Sequence, residues 1–169
     1  MRVLGITGWS GSGKTRLVTR LLPELTGRGY VVSTIKHAHH DFDVDTPGKD
    51  SYEHRAAGAT EVLVSSARRW ALMHEVRDDD EPDLDALLAR MSPVDLVLVE
   101  GFKREGHEKI EVLRVGNDRP PLYPDDAKVV AVASDHDLPD AGRPVIDLND
   151  TAAVADFIIA HCGLARSPT

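Results

Sequence analysis

Short apolar runs alternate along the chain with segments that carry helical spacing. Residues 3–7 form an apolar run that stops at Gly8, which is typical of a buried strand. Residues 15–25 then place apolar side chains along one helical face, and residues 31–35 form a second apolar run. Because a strand, a helix and a strand in this order make a βαβ unit, we expect the two strands to be parallel.

The remainder of the chain predicts a hairpin, more strands and three further helices. Two β-like runs at 61–65 and 70–76, joined by a polar turn, predict the hairpin. Further strands are predicted at 94–99, 109–115, 128–133 and 145–148, and helices at 50–59, at 84–91 after a candidate N-cap at Asp83, and at 151–161. No internal repeat or linker interrupts the pattern. It therefore predicts a single α/β domain over residues 1–169, with a mostly parallel sheet flanked by helices and a small β-hairpin excursion.

The composition narrows the classes of function. Of the 169 residues, 41% are hydrophobic and 28% charged, which is typical of a globular domain. Twenty Lys and Arg against 28 Asp and Glu give a formal net charge of −8, which argues against a broad nucleic-acid-binding face but permits one local phosphate site. The single cysteine, Cys162, excludes an internal disulfide or a Cys-rich metal site. With no membrane-length apolar stretch and no signal peptide, we expect a cytoplasmic protein that binds neither membrane nor nucleic acid.

A phosphate-binding loop is predicted between the first strand and the first helix. The segment reads Gly8-Trp9-Ser10-Gly11-Ser12-Gly13-Lys14-Thr15 and matches the pattern G-x-x-x-x-G-K-[ST] in full. The glycines let backbone N–H groups point at phosphate oxygens, and the following helix adds the positive end of its dipole. We expect Lys14 to reach the β- and γ-phosphates and the Thr15 hydroxyl to ligate Mg²⁺. The fold is therefore predicted to be of the P-loop NTPase type, since a chance glycine-rich turn rarely has this strand–loop–helix context.

Three acidic residues are candidates for completing this site. Glu100 ends the apolar strand at 94–99, at the carboxyl edge where open α/β sheets bind ligands, so we expect it to hold Mg²⁺ or orient the attacking water. Asp50, in a segment that resembles a switch loop, is a second candidate for the metal or the γ-phosphate. Asp135 follows a strand and is placed to accept from the guanine N1–H and 2-amino groups, which would favour GTP. The alternatives are a helix-cap or loop carboxylate for Glu100 and an ordinary loop carboxylate for Asp135.

A histidine-rich segment follows the second strand and is predicted to lie at the same edge. It reads Lys36-His37-Ala38-His39-His40. Three histidines in four residues suit a transition metal, but they also suit a polar wall beside a ligand. We expect Lys36, His37, His39 and His40 to face the substrate or nucleotide, with a solvated loop as the remaining alternative.

The order of these motifs resembles a known family. The resemblance is carried by the phosphate loop, Lys36–His40, Asp45–Ser51, Arg69–Met73, Asp95–Lys103 and Ala131–Asp135. Together they closely resemble the molybdopterin-guanine dinucleotide biosynthesis protein B (MobB) family, over nearly the whole chain.

The resemblance implies a function and its partners. Members of the family are weakly GTP-hydrolysing homodimers that use GTP and Mg²⁺ and assist the guanylyltransferase that joins GMP to molybdopterin. The implied partners are therefore GTP, molybdopterin or its guanine dinucleotide product, the molybdenum cofactor guanylyltransferase and a second copy of the chain. Residues 11–15 carry over as the phosphate and Mg²⁺ site and Glu100 as the acidic residue, whereas Asp50 and the histidine-rich segment carry over only as ligand-facing groups. A metal-delivery GTPase and a small-molecule P-loop kinase stay open as alternatives.

Overall fold

The computed structural model describes residues 1–38, 42–117 and 119–165. In chain order the elements are β1 (Arg2–Thr7), α1 (Lys14–Gly27), β2 (Val32–Lys36), α2 (Asp50–Ala56), β3 (Glu61–Ser65), β4 (Trp70–His74), α3 (Leu84–Leu88), β5 (Leu96–Glu100), β6 (Lys109–Leu113), β7 (Val129–Ser134), β8 (Val145–Asp147) and α4 (Thr151–Cys162). The chain divides into two compact units, one of Met1–His37 with Met91–Thr169 and the other of Ala38–Arg90.

The first unit is built on a six-stranded sheet in the order β2-β5-β1-β6-β7-β8. Every neighbouring pair in this sheet is parallel. The predicted parallel relation of β1 and β2 is confirmed, but β5 lies between them. Because all six strands run the same way, their carboxyl ends lie along one edge, and β1 ends there between β5 and β6.

One face of this sheet carries the main apolar core. β1 contributes Leu4 and Ile6, and these pack with residues of α1 and α4. The helix residues in that core are Leu17, Val18, Leu21, Leu25, Val154, Ala155, Ile158 and Cys162. Since burying a side chain of this size contributes about 1.5–3 kcal/mol, the packing holds α1 and the loop before it firmly on the sheet.

The second unit holds α2, α3 and the antiparallel hairpin of β3 and β4. The hairpin pairs Glu61 with His74 and Ser65 with Trp70. The predicted N-cap is confirmed, because the Asp83 carboxylate accepts a hydrogen bond from the Ala86 N–H at 2.8 Å. The prediction that α2 runs to residue 59 was wrong: the helix ends at Ala56, and Gly58 adopts a φ of +113° that a helix does not allow.

The fold class predicted from the sequence is confirmed: a parallel sheet flanked by helices, with a small hairpin besides. The assignment of all 169 residues to one domain stays a prediction. Across the described ranges, no helix is both long and apolar enough to cross a membrane.

Candidate phosphate-binding site

The loop between β1 and α1 has a backbone that only glycine adopts readily. Gly8, Gly11 and Gly13 have φ values of +138°, +80° and +95°. A Cβ at Gly8 would lie 2.7 Å from the carbonyl oxygen of Val112, so this position also lacks room for a side chain. Gly13 is the N-cap of α1, which places the free N–H groups of the first helical turn at the loop. This geometry agrees with the role that the sequence pattern predicts for the glycines.

Lys14 reaches back across the loop. Its Nζ donates hydrogen bonds to the carbonyl oxygens of Gly8 at 3.0 Å and Trp9 at 2.9 Å. Burial lowers the pKa of Lys14, and the positive charges of Lys103 and Lys36 lower it further, whereas Glu100 opposes the shift. The Lys14 ammonium therefore lies at the mouth of the loop among other cations, where a phosphate would relieve their mutual repulsion.

The structure brings Thr15, Glu100 and Lys36 together beside this loop. Glu100 is the last residue of β5, which pairs with β1, and it is only 9% exposed. The Thr15 hydroxyl donates to Oε1 of Glu100 at 2.5 Å. Nζ of Lys36, at the end of β2, lies 3.6 Å from the same oxygen. Three residues distant in sequence thus meet because β2, β5 and β1 are neighbours in the sheet.

These groups fit a phosphate and a magnesium ion. Oxygen donors such as the Thr15 hydroxyl and the Glu100 carboxylate are the ligands that Mg²⁺ prefers. The Ser12 hydroxyl is buried and has no hydrogen-bond partner in the described part of the chain, as expected of a donor kept for an external oxygen. Within the same residues there is no group of three or more His, Cys, Asp or Glu that would hold a metal without help. A magnesium ion at this site would therefore also need phosphate and water oxygens.

His37 packs beside Glu100 through the turn after β5. Its backbone N–H donates to the Glu100 carbonyl oxygen at 2.9 Å, and its ring centroid lies 4.6 Å from that of Phe102. His39 and His40 lie outside the described residues. The prediction that this segment faces a ligand therefore stays a prediction.

Trp9 has cationic neighbours that the sequence analysis missed. Nζ of Lys103 lies 4.3 Å from the centroid of the Trp9 ring, and Cζ of Arg119 lies 5.2 Å from it. The indole N–H donates to the carbonyl oxygen of Pro120 at 2.7 Å. Lys103 and Arg119 follow β5 and β6, so the rule that ligands bind at the carboxyl edge would have identified both.

Arg114 is a further missed cation, directly after β6. Its Nε donates to the carbonyl oxygen of Ser12 at 3.2 Å. The same nitrogen lies 3.1 Å from the position that a Cβ at Gly13 would occupy. Arg114 therefore packs against the backbone of the phosphate loop.

The two remaining candidates are Asp135, which has partners of its own after β7, and Asp50, which belongs to the other unit. Asp135 follows β7, and its Oδ1 accepts from the Val115 N–H at 2.9 Å and lies 3.1 Å from Nδ1 of His136. These hydrogen bonds hold the pKa of Asp135 below its ordinary value, which keeps it an ionised acceptor. Asp50 is the first residue of α2, in the second unit. Their roles in binding guanine and the metal stay predictions.

Comparison with known proteins gives one consistent result. The family model described as molybdopterin guanine dinucleotide synthesis protein B matches residues 3–135. The chain is 49% identical over 160 residues to the molybdopterin-guanine dinucleotide biosynthesis adapter protein of Escherichia coli (strain K12), covering 93% of this chain and 91% of that one. It is 44% identical to the protein of the same description from Haemophilus influenzae, covering 92% and 86%. A crystal structure of molybdopterin-guanine biosynthesis protein B superposes with a TM-score of 0.76 at 29% identity, covering 95% of this chain and 99% of that one.

Proposed function

The chain belongs to the molybdopterin guanine dinucleotide synthesis protein B family, and on that premise we propose that it is a GTP-binding adapter protein in molybdopterin guanine dinucleotide biosynthesis. The observation that carries the proposal is the phosphate loop whose Thr15 hydroxyl meets Glu100 at the edge of the sheet. A metal-delivery GTPase and a small-molecule P-loop kinase share such a loop, but membership of this family favours the adapter function.

We propose that GTP binds to the loop in the conformation described above. The backbone N–H groups at the start of α1 and the Lys14 ammonium donate to the β- and γ-phosphate oxygens. Mg²⁺ held there by the Thr15 hydroxyl and the Glu100 carboxylate would neutralise part of the phosphate charge. Glu100 holds the Thr15 hydroxyl in position for that ion and gives the site its acidic oxygen.

We propose that hydrolysis by water is slow. Glu100 is engaged with both Thr15 and Lys36. A carboxylate held by two partners is a poor base for deprotonating an attacking water. Slow turnover suits an accessory protein that assists the guanylyltransferase joining GMP to molybdopterin, which is the role we propose.

The first test is calorimetric titration of the protein with GTP and ATP in the presence of Mg²⁺. We expect GTP to bind more tightly, and Asp135→Ala to remove that preference, because adenine lacks the donor pair that Asp135 would accept from. Equal affinities in the unaltered protein would contradict the proposed specificity for guanine.

Lys14→Ala tests the phosphate site itself. We expect it to abolish most of the affinity for GTP while the thermal unfolding midpoint stays nearly unchanged. Lys128→Ala, which removes an exposed lysine distant in sequence from the loop, should leave binding intact. GTP affinity within about threefold of the parent, or roughly 0.65 kcal/mol, would show that the site is misplaced.

We further propose that the chain forms a homodimer through the β3–β4 hairpin. Leu63, Val64, Trp70 and Leu72 are exposed by 61%, 44%, 65% and 44%. A hairpin with this much exposed apolar surface is typical of an interface between protein chains.

A further inference from the structure

Two cations near Trp9 lie beyond the residues that a phosphate loop requires. Lys103 and Arg119 both approach the Trp9 ring. Neither forms an ion pair with a carboxylate among the residues whose structure is described. Both distances run to one ring centroid, so the two charged groups are neighbours of the same indole. Cation–π contacts with a partly exposed ring are weaker than charge-assisted hydrogen bonds to phosphate. Lys103 and Arg119 would therefore leave the ring to bind an anion that reaches them.

The positive charge at this edge exceeds what one carboxylate can balance. Lys14, Lys36 and Lys103 lie near enough to one another that the latter two lower the pKa of Lys14. Glu100 is the carboxylate that this group faces. The chain as a whole carries a net charge of −8, so the concentration of cations here is a local feature of the site.

Two buried charged residues of β6 hold the backbone segments that carry these cations. Glu111 is fully buried, and its two carboxylate oxygens accept from the N–H groups of Leu122 and Tyr123, each at 2.8 Å. These bonds anchor the segment that bears Arg119 and the Pro120 carbonyl that binds Trp9.

Lys109 anchors the second segment, the one that bears Lys103. It is 1% exposed, and its Nζ donates to the carbonyl oxygens of Lys103 at 3.3 Å and Glu105 at 2.8 Å. Buried charges are costly unless they are fully paired, and here the pairing fixes the two backbone segments whose residues contact Trp9. The strand therefore positions both cations relative to the phosphate loop.

We propose that Trp9, Lys103 and Arg119 form a second anion subsite beside the phosphate loop, which binds the phosphate of a second ligand that is a phosphate monoester. Arg and Lys together match the several oxygens of a phosphate dianion, and Trp9 offers a flat face for a ring next to it. The inference rests on the proposed function, because the loop itself is taken to hold the nucleotide.

The test uses Trp9 as a fluorescent probe. The chain has two tryptophans, so Trp70→Phe leaves Trp9 as the only one. Phenyl phosphate is titrated into this variant after saturation with Mg²⁺ and GTP, with fluorescence and calorimetry as readouts. We expect one saturable site per chain in addition to the nucleotide. Adding Arg119→Ala should weaken phenyl phosphate binding at least tenfold and change GTP affinity by less than threefold, and adding Lys103→Ala as well should weaken phenyl phosphate binding further.

Arg104→Ala is the matched control, because it removes an exposed cation next to Lys103 and should leave both affinities unchanged. Absence of saturable binding to the nucleotide-loaded protein would overturn the subsite. So would an equal loss of GTP affinity in the Arg119→Ala variant, since this cation would then hold a phosphate of the nucleotide itself. Lys14→Ala separates the two proposals: phenyl phosphate binding that persists without GTP binding supports the subsite, whereas joint loss places the anion in the phosphate loop.

Discussion

Two glycines, Gly101 and Gly5, matter because they lack a side chain and so leave room for a histidine. A Cβ at Gly101 would lie 2.9 Å from Cβ of His37, and the residue has a φ of +101°. Gly5, inside β1, would place a Cβ 2.5 Å from Nε2 of His107. Both glycines let a histidine pack against the sheet backbone, so the contact depends on the glycine as much as on the imidazole.

Gly101→Ala should therefore lower both stability and affinity. The positive φ alone costs about 1–2 kcal/mol for a non-glycine residue, and the contact with His37 should add about 1–3 kcal/mol. We also expect weaker Mg²⁺-dependent GTP binding, because Glu100 precedes the altered residue. Gly116→Ala is the control, since Gly116 has a φ of +86° and open space around it. Equal free energies of unfolding by urea for the two variants would contradict the steric argument.

His107 should make the stability depend on pH. Both ring nitrogens are buried and have no hydrogen-bond partner among the described residues. Burial and, to a lesser extent, the charge of Lys109 lower the pKa of His107 to about 4, against the opposing effect of Asp126. The unfolded chain takes up this proton near pH 6.5, so stability falls as the pH drops from 6.5 towards 4. His107→Leu should reduce that loss in thermal unfolding measured from pH 7 to pH 4.5, and parallel curves would contradict the assignment.

At the scale of elements, β6 shows what could and could not be predicted from the sequence. Apolar runs and glycine spacing predict the strand itself, the phosphate loop and the approach of the end of β5 to the site. Charged and apolar side chains alternate at Lys109, Ile110 and Glu111, a pattern typical of a strand with one face in water, yet every residue of β6 is buried. The partners of these charges come from segments up to 17 residues away, whose approach has no local signal in the sequence.

Asp126→Asn should destabilise the element that Lys109 anchors. Oδ2 of Asp126 lies 3.2 Å from Nζ of Lys109, and 28% of the Asp126 side chain is exposed. We expect a loss of about 2 kcal/mol, less than for a fully buried pair because water reaches Asp126. Burial alone would raise the pKa of Asp126, but the Lys128 N–H and Lys109 bring it below its ordinary value.

The pH dependence of the free energy of unfolding tests the ion pair of Lys109 and Asp126. A carboxyl group whose pKa is lowered by folding stabilises above its unfolded pKa, here 3.8, and this contribution disappears as the pH falls through the folded value. The difference between Asp126→Asn and the parent in urea unfolding should therefore be largest at pH 7 and shrink at pH 3. A difference that does not change with pH would contradict the ion pair.

For the whole molecule, the proposed association of two copies makes stability depend on concentration. If the hairpin forms the interface, light scattering should give twice the mass of 18.4 kDa, and the melting temperature should rise with protein concentration. Trp70→Asp should give a monomer, because it buries a charge in an apolar contact. Val115→Asp, which alters a residue that is 73% exposed outside the hairpin, should leave the dimer unchanged. A dimer that survives Trp70→Asp at all concentrations would contradict this interface.

The position of β1 has a consequence for synthesis on the ribosome. β1 is paired on both sides by strands that emerge from the ribosome much later, at Leu96–Glu100 and Lys109–Leu113. Synthesis must therefore proceed past Leu113 before the strand that leads into the phosphate loop acquires both of its neighbours. Nucleotide capture by a stalled chain would then mark the pairing of β1 on both sides, and chains released before Leu113 should fail to bind.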